Sequence, residues 1–331
     1  AGYTHYVPAA GIPELREAIA EYISKTREVE VNPEEVVVTP GAKPIMFFSI
    51  LALVNSGEEV MYPNPGFPIY ESMINFVEAK PVPIPLKEEN DFRLDPEYVK
   101  EKITKKTKMI ILNSPENPTG SVLHMEYLKT IADYIAHRND VFVLSDEIYS
   151  RIIYEGKHES IASLPGIKEK TILLDGFSKT YAMTGWRLGY GVMRKDIAQK
   201  VTQLMINSNS CTCASTQMAG VAALKGPQDE TERMVAEFRK RREIIVSGLN
   251  KIEGITCRKP HGAFYVFPNI TGTGMKSKEL SEYLLNKAGV AVLSGTAFGK
   301  YGEGYLRISF ANSVENINKA LERISKALEN R

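Results

Sequence analysis

The sequence has 331 residues, 43% of them hydrophobic and 24% charged, enough to bury a large core in one big domain with a smaller companion. Its 41 lysines and arginines balance 40 aspartates and glutamates, so the net charge of +1 offers no basic excess for a nucleic acid and no acidic tail. Cys211, Cys213 and Cys257 form neither an even framework nor a CxxC pair, which fits a reducing compartment. No apolar run has membrane length, and the first residues lack a signal core, so the expected place is the cytoplasm, with no membrane partner.

In chain order, "EEVVVT" reads as a strand that leads through "PGA" into the apolar helix "KPIMFFSILALV", and "EEVMY" leads through "PNPGF" into "PIYESMINFV". "KMIILNSPENPTG", "DVFVLSDEIYS" and "KTILLDGFSKT" repeat the design, a short aliphatic run followed by a polar turn. This alternation predicts a mostly parallel sheet covered by helices, whose strands are buried on both faces. From residue 227 the texture changes to a long charged amphipathic helix, "GPQDETERMVAEFRKRREIIVSGLNKI". Strands at "GAFYVFPNI", "VAVLSG" and "GYLRISFA", a helix "KSKELSEYLLNKAG" and a final helix "VENINKALERISKALEN" follow, a small α+β layer. The expected division is therefore 1–226 for a large domain and 227–331 for a small one.

Several signatures are absent or incomplete. No G-x-G-x-x-G follows a strand, and "GTAFGKY" is one residue short of a nucleotide phosphate loop, with Tyr301 where Ser or Thr is needed. The five histidines are scattered without metal-ligand spacing, so no metal is expected. What remains is a set of polar residues just past strand ends, where open parallel sheets bind ligands: Asn117, Asp146, Tyr149, Ser178 and Lys179, with Arg187 in a glycine-flanked turn beyond. Each alone has an ordinary explanation. Asp146 fits a helix cap, Asn117 a turn before proline, and Arg187 a surface ion pair.

Taken together, these residues resemble the class I/II aminotransferases of the fold type I pyridoxal-phosphate superfamily, similar to the prokaryotic aspartate and aromatic enzymes. "GFSKTYAMTGWRLG", residues 176–189, fits the family's lysine signature at every specified position. The resemblance continues through "YVPAAGIPELREAIA", "TPGAK", "YPNPGFPIY", "NSPENPTG", "SDEIY", "KPHGAFYVFP" and "YLRISFA", and so spans essentially the whole chain. It implies an α/β fold whose large domain holds a mostly parallel seven-stranded sheet, beside a smaller C-terminal α+β domain.

The resemblance also implies roles. Lys179 matches the Schiff-base lysine, Asp146 the carboxylate facing the pyridine nitrogen, and Tyr149 with Asn117 the pair bonded to the ring's phenolic oxygen. Ser178, Arg187 and the backbone N–H groups of Ala42 and Lys43 match the phosphate ligands, and Phe67 the aromatic group stacked on the ring. Arg307 matches the clamp on the substrate's α-carboxylate, and Tyr6 a tyrosine that reaches the phosphate of the other subunit, implying a homodimer with shared active sites. The implied activity is ping-pong transamination between an L-amino acid and a 2-oxo acid such as 2-oxoglutarate, in amino-acid metabolism and biosynthesis. A carbon-sulfur β-lyase of the same fold is the alternative. A non-catalytic regulator is a further one, disfavoured by the complete site and by the lack of a basic helix-turn-helix segment.

Acidic donors are expected, with aromatic ones as the main alternative. No arginine lies between Arg194 and Arg233, where the animal-type enzymes place their distal-carboxylate arginine. The resemblance implies Lys43 instead, placed like a lysine that some prokaryotic aspartate enzymes use, its side chain reaching across the dimer; the alternative is that Lys43 adds charge near the phosphate or faces solvent. Cis peptide bonds are implied at Asn64-Pro65 and Asn117-Pro118. Family members also carry several dozen residues ahead of the point where this sequence starts, forming an arm on the partner and a segment that closes over substrate.

Overall fold

The computed structural model describes residues 2–329; Ala1, Asn330 and Arg331 lie outside the described residues. Seven short strands build the main sheet: β1 (Val36–Thr39), β2 (Glu59–Asn64), β3 (Lys80–Pro85), β4 (Thr107–Asn113), β5 (Phe142–Asp146), β6 (Thr171–Gly176) and β7 (Gly189–Val192). Their order is β1-β7-β6-β5-β4-β2-β3. The pairs β2/β3, β2/β4, β4/β5 and β5/β6 are parallel, whereas β7 runs antiparallel to both β6 and β1. Reversing twice restores the direction, so β1 points the same way as β2, β3, β4, β5 and β6. All six carboxyl ends, and the start of β7, therefore meet at one edge of the sheet.

Helices α1 (Pro13–Arg27), α2 (Lys43–Leu53), α3 (Ile69–Phe76), α4 (Pro96–Lys102), α5 (Met125–Ile135), α6 (Phe177–Thr180), α7 (Lys195–Asn209) and α8 (Ala214–Lys225) surround this sheet. Alternate strand residues go to opposite faces, as the two-residue period requires. Ile111, Leu144 and Ile172 join the core under α2, α3 and α7, while Ile110, Leu112 and Val143 join the core under α4 and α5. Burial on both faces explains why these strands read as unbroken aliphatic runs. Helix α1 shows the same logic with one exception. Its buried stripe, Leu15, Ile19 and Ile23 at spacings of four, ends in a charged residue, Arg27, only 4% exposed.

The long charged stretch after residue 226 is α9 (Asp229–Leu249), and a three-stranded antiparallel sheet follows, β8 (Tyr265–Val266), β9 (Leu293–Ser294) and β10 (Leu306–Ser309), in the order β8-β10-β9. With α10 (Ser277–Tyr283) and α11 (Val314–Glu329) these elements enclose their own apolar cluster around Ile245, Leu249, Leu280, Leu306 and Ile317. The final helix expected over 314–330 is described to Glu329. Helix α11 lies so close to α9 that a Cβ on Gly248 would come 2.3 Å from the Leu321 side chain. "GTAFGKY" forms two short 3-10 turns. Asn64-Pro65 and Asn117-Pro118 are cis as expected, and Ser114-Pro115 is also cis, which the motifs did not indicate.

Candidate active site

The converging strand ends frame a cavity of about 410 Å³. Ten of the residues expected at the site line it: Ala42 and Lys43 at the start of α2, Phe67 just before α3, and Asn117 after β4; Asp146 and Tyr149 at the end of β5; Ser178 and Lys179 in α6; Arg187 before β7; and Arg307 on β10. Tyr6 is not among the lining residues and stands 88% exposed.

Asp146 anchors the floor. Its carboxylate accepts from the Tyr70 hydroxyl at 2.8 Å and from the Ile148 N–H at 3.3 Å, and no cation lies within salt-bridge distance among the described residues. Burial pushes it up to about 6, a carboxylate still short of a positive partner. Burial also lowers Lys179, helped by the positive charges of Arg307, Arg187 and Lys43, against a weak opposing pull from Asp146. The ammonium hangs 5.9 Å from the Tyr149 ring centre and 5.6 Å from that of Phe264.

One end of the cavity is cationic. Arg187, in the left-handed region at φ 54°, spends its donors on the carbonyls of Thr184 at 2.8 Å and Pro40 at 3.4 Å. Its guanidinium lies against Gly41, where a Cβ would stand 2.2 Å from Nη2 and where φ is +84°, so only glycine fits. A Cβ on Gly189 would meet the Ala42 nitrogen at 2.3 Å, so β7 is pressed onto the N-terminus of α2. In that 11-residue helix Pro44 has no N–H and the Ile45 N–H donates to the Ala42 carbonyl at 3.1 Å, which leaves the N–H groups of Ala42 and Lys43, both lining the cavity, without an intrahelical acceptor.

The other end is built by Arg307. Its Nη1 donates to Asn117 Oδ1 at 3.0 Å, its Nε is buried with no partner, and its guanidinium lies between the rings of Tyr265, at 4.4 Å, and Phe298, at 4.7 Å. Asn117 is itself held by its N–H to Asn113 Oδ1 at 2.9 Å, and Asn113 donates to the Asp146 carbonyl at 3.0 Å. None of Lys43, Lys179, Arg187 and Arg307 has a carboxylate within salt-bridge distance among the described residues, a cluster of cations that only an anionic ligand would balance. The Lys43 ammonium lies 5.2 Å from the centre of the Phe67 ring, and both residues line the same cavity.

The family description "Aminotransferase class I and II" matches residues 1–324. The chain belongs to that family. An aspartate aminotransferase of Pyrococcus horikoshii is 47% identical over 99% of this chain and 84% of its own length. The crystal structure of an aromatic aminotransferase from Pyrococcus horikoshii OT3 superposes with a TM-score of 0.97 at 42% identity, covering 100% of this chain and 89% of that one. The Thermus thermophilus aspartate aminotransferase with maleate superposes at 0.93, with 36% identity over 98% of this chain and 84% of that one. The chain is a pyridoxal-phosphate-dependent aminotransferase of fold type I, which moves an amino group between an amino acid and a 2-oxo acid.

The side chains present fit that cofactor. A buried carboxylate without a cation suits a protonated ring nitrogen, an amine stands beside it, and the glycine cradle with Arg187 and the α2 N-terminus suits a phosphate. Three contributors were not anticipated from sequence: Tyr70 on the Asp146 carboxylate, Asn113 behind Asn117, and Tyr265 beneath Arg307. Tyr70 and Tyr265 sit inside the quoted motifs "YPNPGFPIY" and "KPHGAFYVFP", but nothing in the pattern says which side chain turns inward.

Proposed function

We propose that this chain transaminates acidic amino acids with 2-oxoglutarate, using Lys179 as its proton carrier in a site shared across a homodimer. The observation that carries the reading is one amine, Lys179, sharing a single cavity with a buried carboxylate that has no cation beside it, Asp146, and a guanidinium that has no carboxylate beside it, Arg307. When bound, pyridoxal phosphate supplies the carbonyl carbon and the electron-withdrawing ring that make a substrate Cα–H acidic. The protein does the rest. Asp146 would keep the ring nitrogen protonated, Tyr149 and Asn117 would hold the phenolic oxygen, and Phe67 would pack against the ring. Ser178, Arg187 and the N–H groups of Ala42 and Lys43 would hold the phosphate. Arg307 fixes the substrate carboxylate and so sets the Cα–H within reach of Lys179 Nζ, whose lowered proton affinity favours the free amine needed to accept that proton.

Exposed apolar side chains support the shared dimer: Tyr6, expected at the subunit contact, is 88% exposed, and Phe76, Trp186 and Ile206 are each more than half exposed. We place the division between a large and a small domain at 226/227, ahead of α9, and the enzyme in the cytoplasm. Free thiols at Cys211, Cys213 and Cys257 fit a reducing compartment there. A role in amino-acid biosynthesis belongs to the same reading.

The preference for acidic donors rests on Lys43, which is exposed and stands over Phe67 in the cavity of its own chain. Lys43→Ala is expected to lower kcat/KM for aspartate and glutamate about 10- to 100-fold while sparing tyrosine and phenylalanine. Equal losses for both classes would assign Lys43 to the phosphate alone. Sedimentation of a fully active monomer with tightly bound cofactor would remove the dimer from the proposal.

A further inference from the structure

Tyr265 touches both Tyr149 and Arg307 and has no part in the reading above. Its hydroxyl is 3.0 Å from the Tyr149 hydroxyl, its ring lies 4.4 Å under the Arg307 guanidinium, and it lines the cavity while only 7% exposed. The register explains the second contact. Tyr265 on β8 is opposite Ser309 on β10, so Arg307, two residues back, is its diagonal neighbour on the same face. The first contact is held just as firmly. The Ala263 N–H donates to the Ile152 carbonyl at 2.9 Å, Tyr154 donates to the Ala263 carbonyl, and Ala263 itself sits at φ 56°. These ties lock the start of β8 to the segment that follows Tyr149. The rings of Tyr149 and Tyr265 meet edge to face at 5.9 Å.

Each phenol has one proton. Burial holds the Tyr149 phenol well above its ordinary range, with the adjacent Tyr265 next among the causes, so Tyr149 stays a donor throughout. If Tyr149 gives that proton to the cofactor's phenolic oxygen, its own oxygen is free to accept, and the hydroxyl within reach is Tyr265. A donor that also accepts is polarised and donates more strongly.

We infer that Tyr265 is a positioning residue with two separable functions: its hydroxyl donates to Tyr149 and strengthens that residue's hold on the phenolic oxygen, and its ring fixes the Arg307 guanidinium for the substrate carboxylate. The inference rests on the roles proposed for Tyr149 and Arg307. Lysine-linked cofactor changes its visible absorption when the linkage loses its proton, and a better-stabilised phenolic oxygen lowers the pH of that change. Removing a donor raises it.

The test is a spectral pH titration of the cofactor-loaded enzyme in four forms: native, Tyr149→Phe, Tyr265→Phe and the double variant. Tyr149→Phe is expected to raise the midpoint by about one pH unit or more, and Tyr265→Phe by roughly half as much. The double variant is expected to match Tyr149→Phe, since the outer hydroxyl acts only through the inner one. No shift in Tyr149→Phe would overturn both this inference and the underlying role of Tyr149. A shift in Tyr149→Phe with none in Tyr265→Phe, or additive shifts, would overturn the inference while leaving that role in place. The ring function has its own readout. Tyr265→Phe keeps the face under Arg307 and should leave KM for the amino donor within about twofold, whereas Tyr265→Leu should raise it about tenfold. Equal KM changes in the two variants would remove the ring's function.

Discussion

Asp146 and Glu147 are consecutive residues at the end of one strand, and they live in opposite electrostatic worlds. Asp146 turns into the cavity, meets a phenol and one N–H, and is pushed up to about 6 by burial. Glu147 turns to the other face and is enclosed by partners. Its carboxylate takes Arg27 Nε at 2.7 Å, His158 Nε2 at 2.7 Å, and the hydroxyls of Ser145 at 2.9 Å and Ser160 at 2.5 Å. Burial alone would raise it, but His158 and Arg27 outweigh that cost and hold it down to about 2. Arg27 also donates to Asp175 at 2.8 Å, four residues before Lys179. One arginine from α1 thus ties together the two strand ends that bear Asp146 and Lys179. The back of the strand edge is charge-saturated and structural, and its front leaves charges unpaired for a ligand.

The comparison breaks most sharply at Lys179. Lys179→Ala should lower kcat by at least about 10⁴ and abolish the visible band of lysine-linked cofactor, with the thermal midpoint of the unloaded chain nearly unchanged. A large fall in that midpoint would move Lys179 into the structural class. Next comes Arg27→Met, which strands two buried carboxylates and is expected to cost about 3–5 kcal/mol in urea unfolding. A cost below about 1 kcal/mol would show that the back face is not what holds these strand ends together.

Asp146→Asn should act in the reverse sense on the unloaded chain. Asp146 is raised from its ordinary 3.8 to about 6, so its contribution to stability is fully present below the unfolded value and is lost as pH rises through about 6. Removing the charge should therefore stabilise the unloaded chain above pH ~6, by on the order of 2 kcal/mol, while weakening cofactor binding. Glu147 has the opposite sign. Lowered from 4.5 to about 2, it contributes stability present above the unfolded value and lost as pH falls through about 2. Urea titrations of Asp146→Asn and Glu147→Gln across pH 2 to 8 check both signs, and parallel curves would erase the distinction. The smallest effect is expected from Tyr70→Phe, which removes the donor to Asp146. Its cost is about 1 kcal/mol of stability once the carboxylate is ionised, and the carboxylate's titration moves further up.

Most of the front face was legible in the amino-acid order because the chemistry demands particular residue types at particular spacings after strands. The signature around Lys179, the "SDEIY" run and the Arg307 strand supply residues that line one cavity. The back face was not legible. Arg27 continues a helical stripe on which an apolar residue would be expected, and its partners lie 120 and 148 residues away. β7 was equally hidden, since "GYGV" has two glycines in four residues and no aliphatic run to announce a strand. The position of the Lys43 ammonium over the Phe67 ring of its own chain was not legible either, because the two residues are 24 apart and belong to different strand-end turns.

By itself the sequence determined the alternation of buried strands and helices, the chemical identity of the groups at the strand ends, and the turns that only glycine can make, because these depend on local period, residue type and backbone freedom. Tertiary structure alone decided which of two adjacent carboxylates is left without a cation and which tyrosine lies beneath Arg307. The reason is that a pKa and a stacking contact are set by what the rest of the chain brings within a few ångströms, and nothing in the local order of residues encodes that neighbourhood.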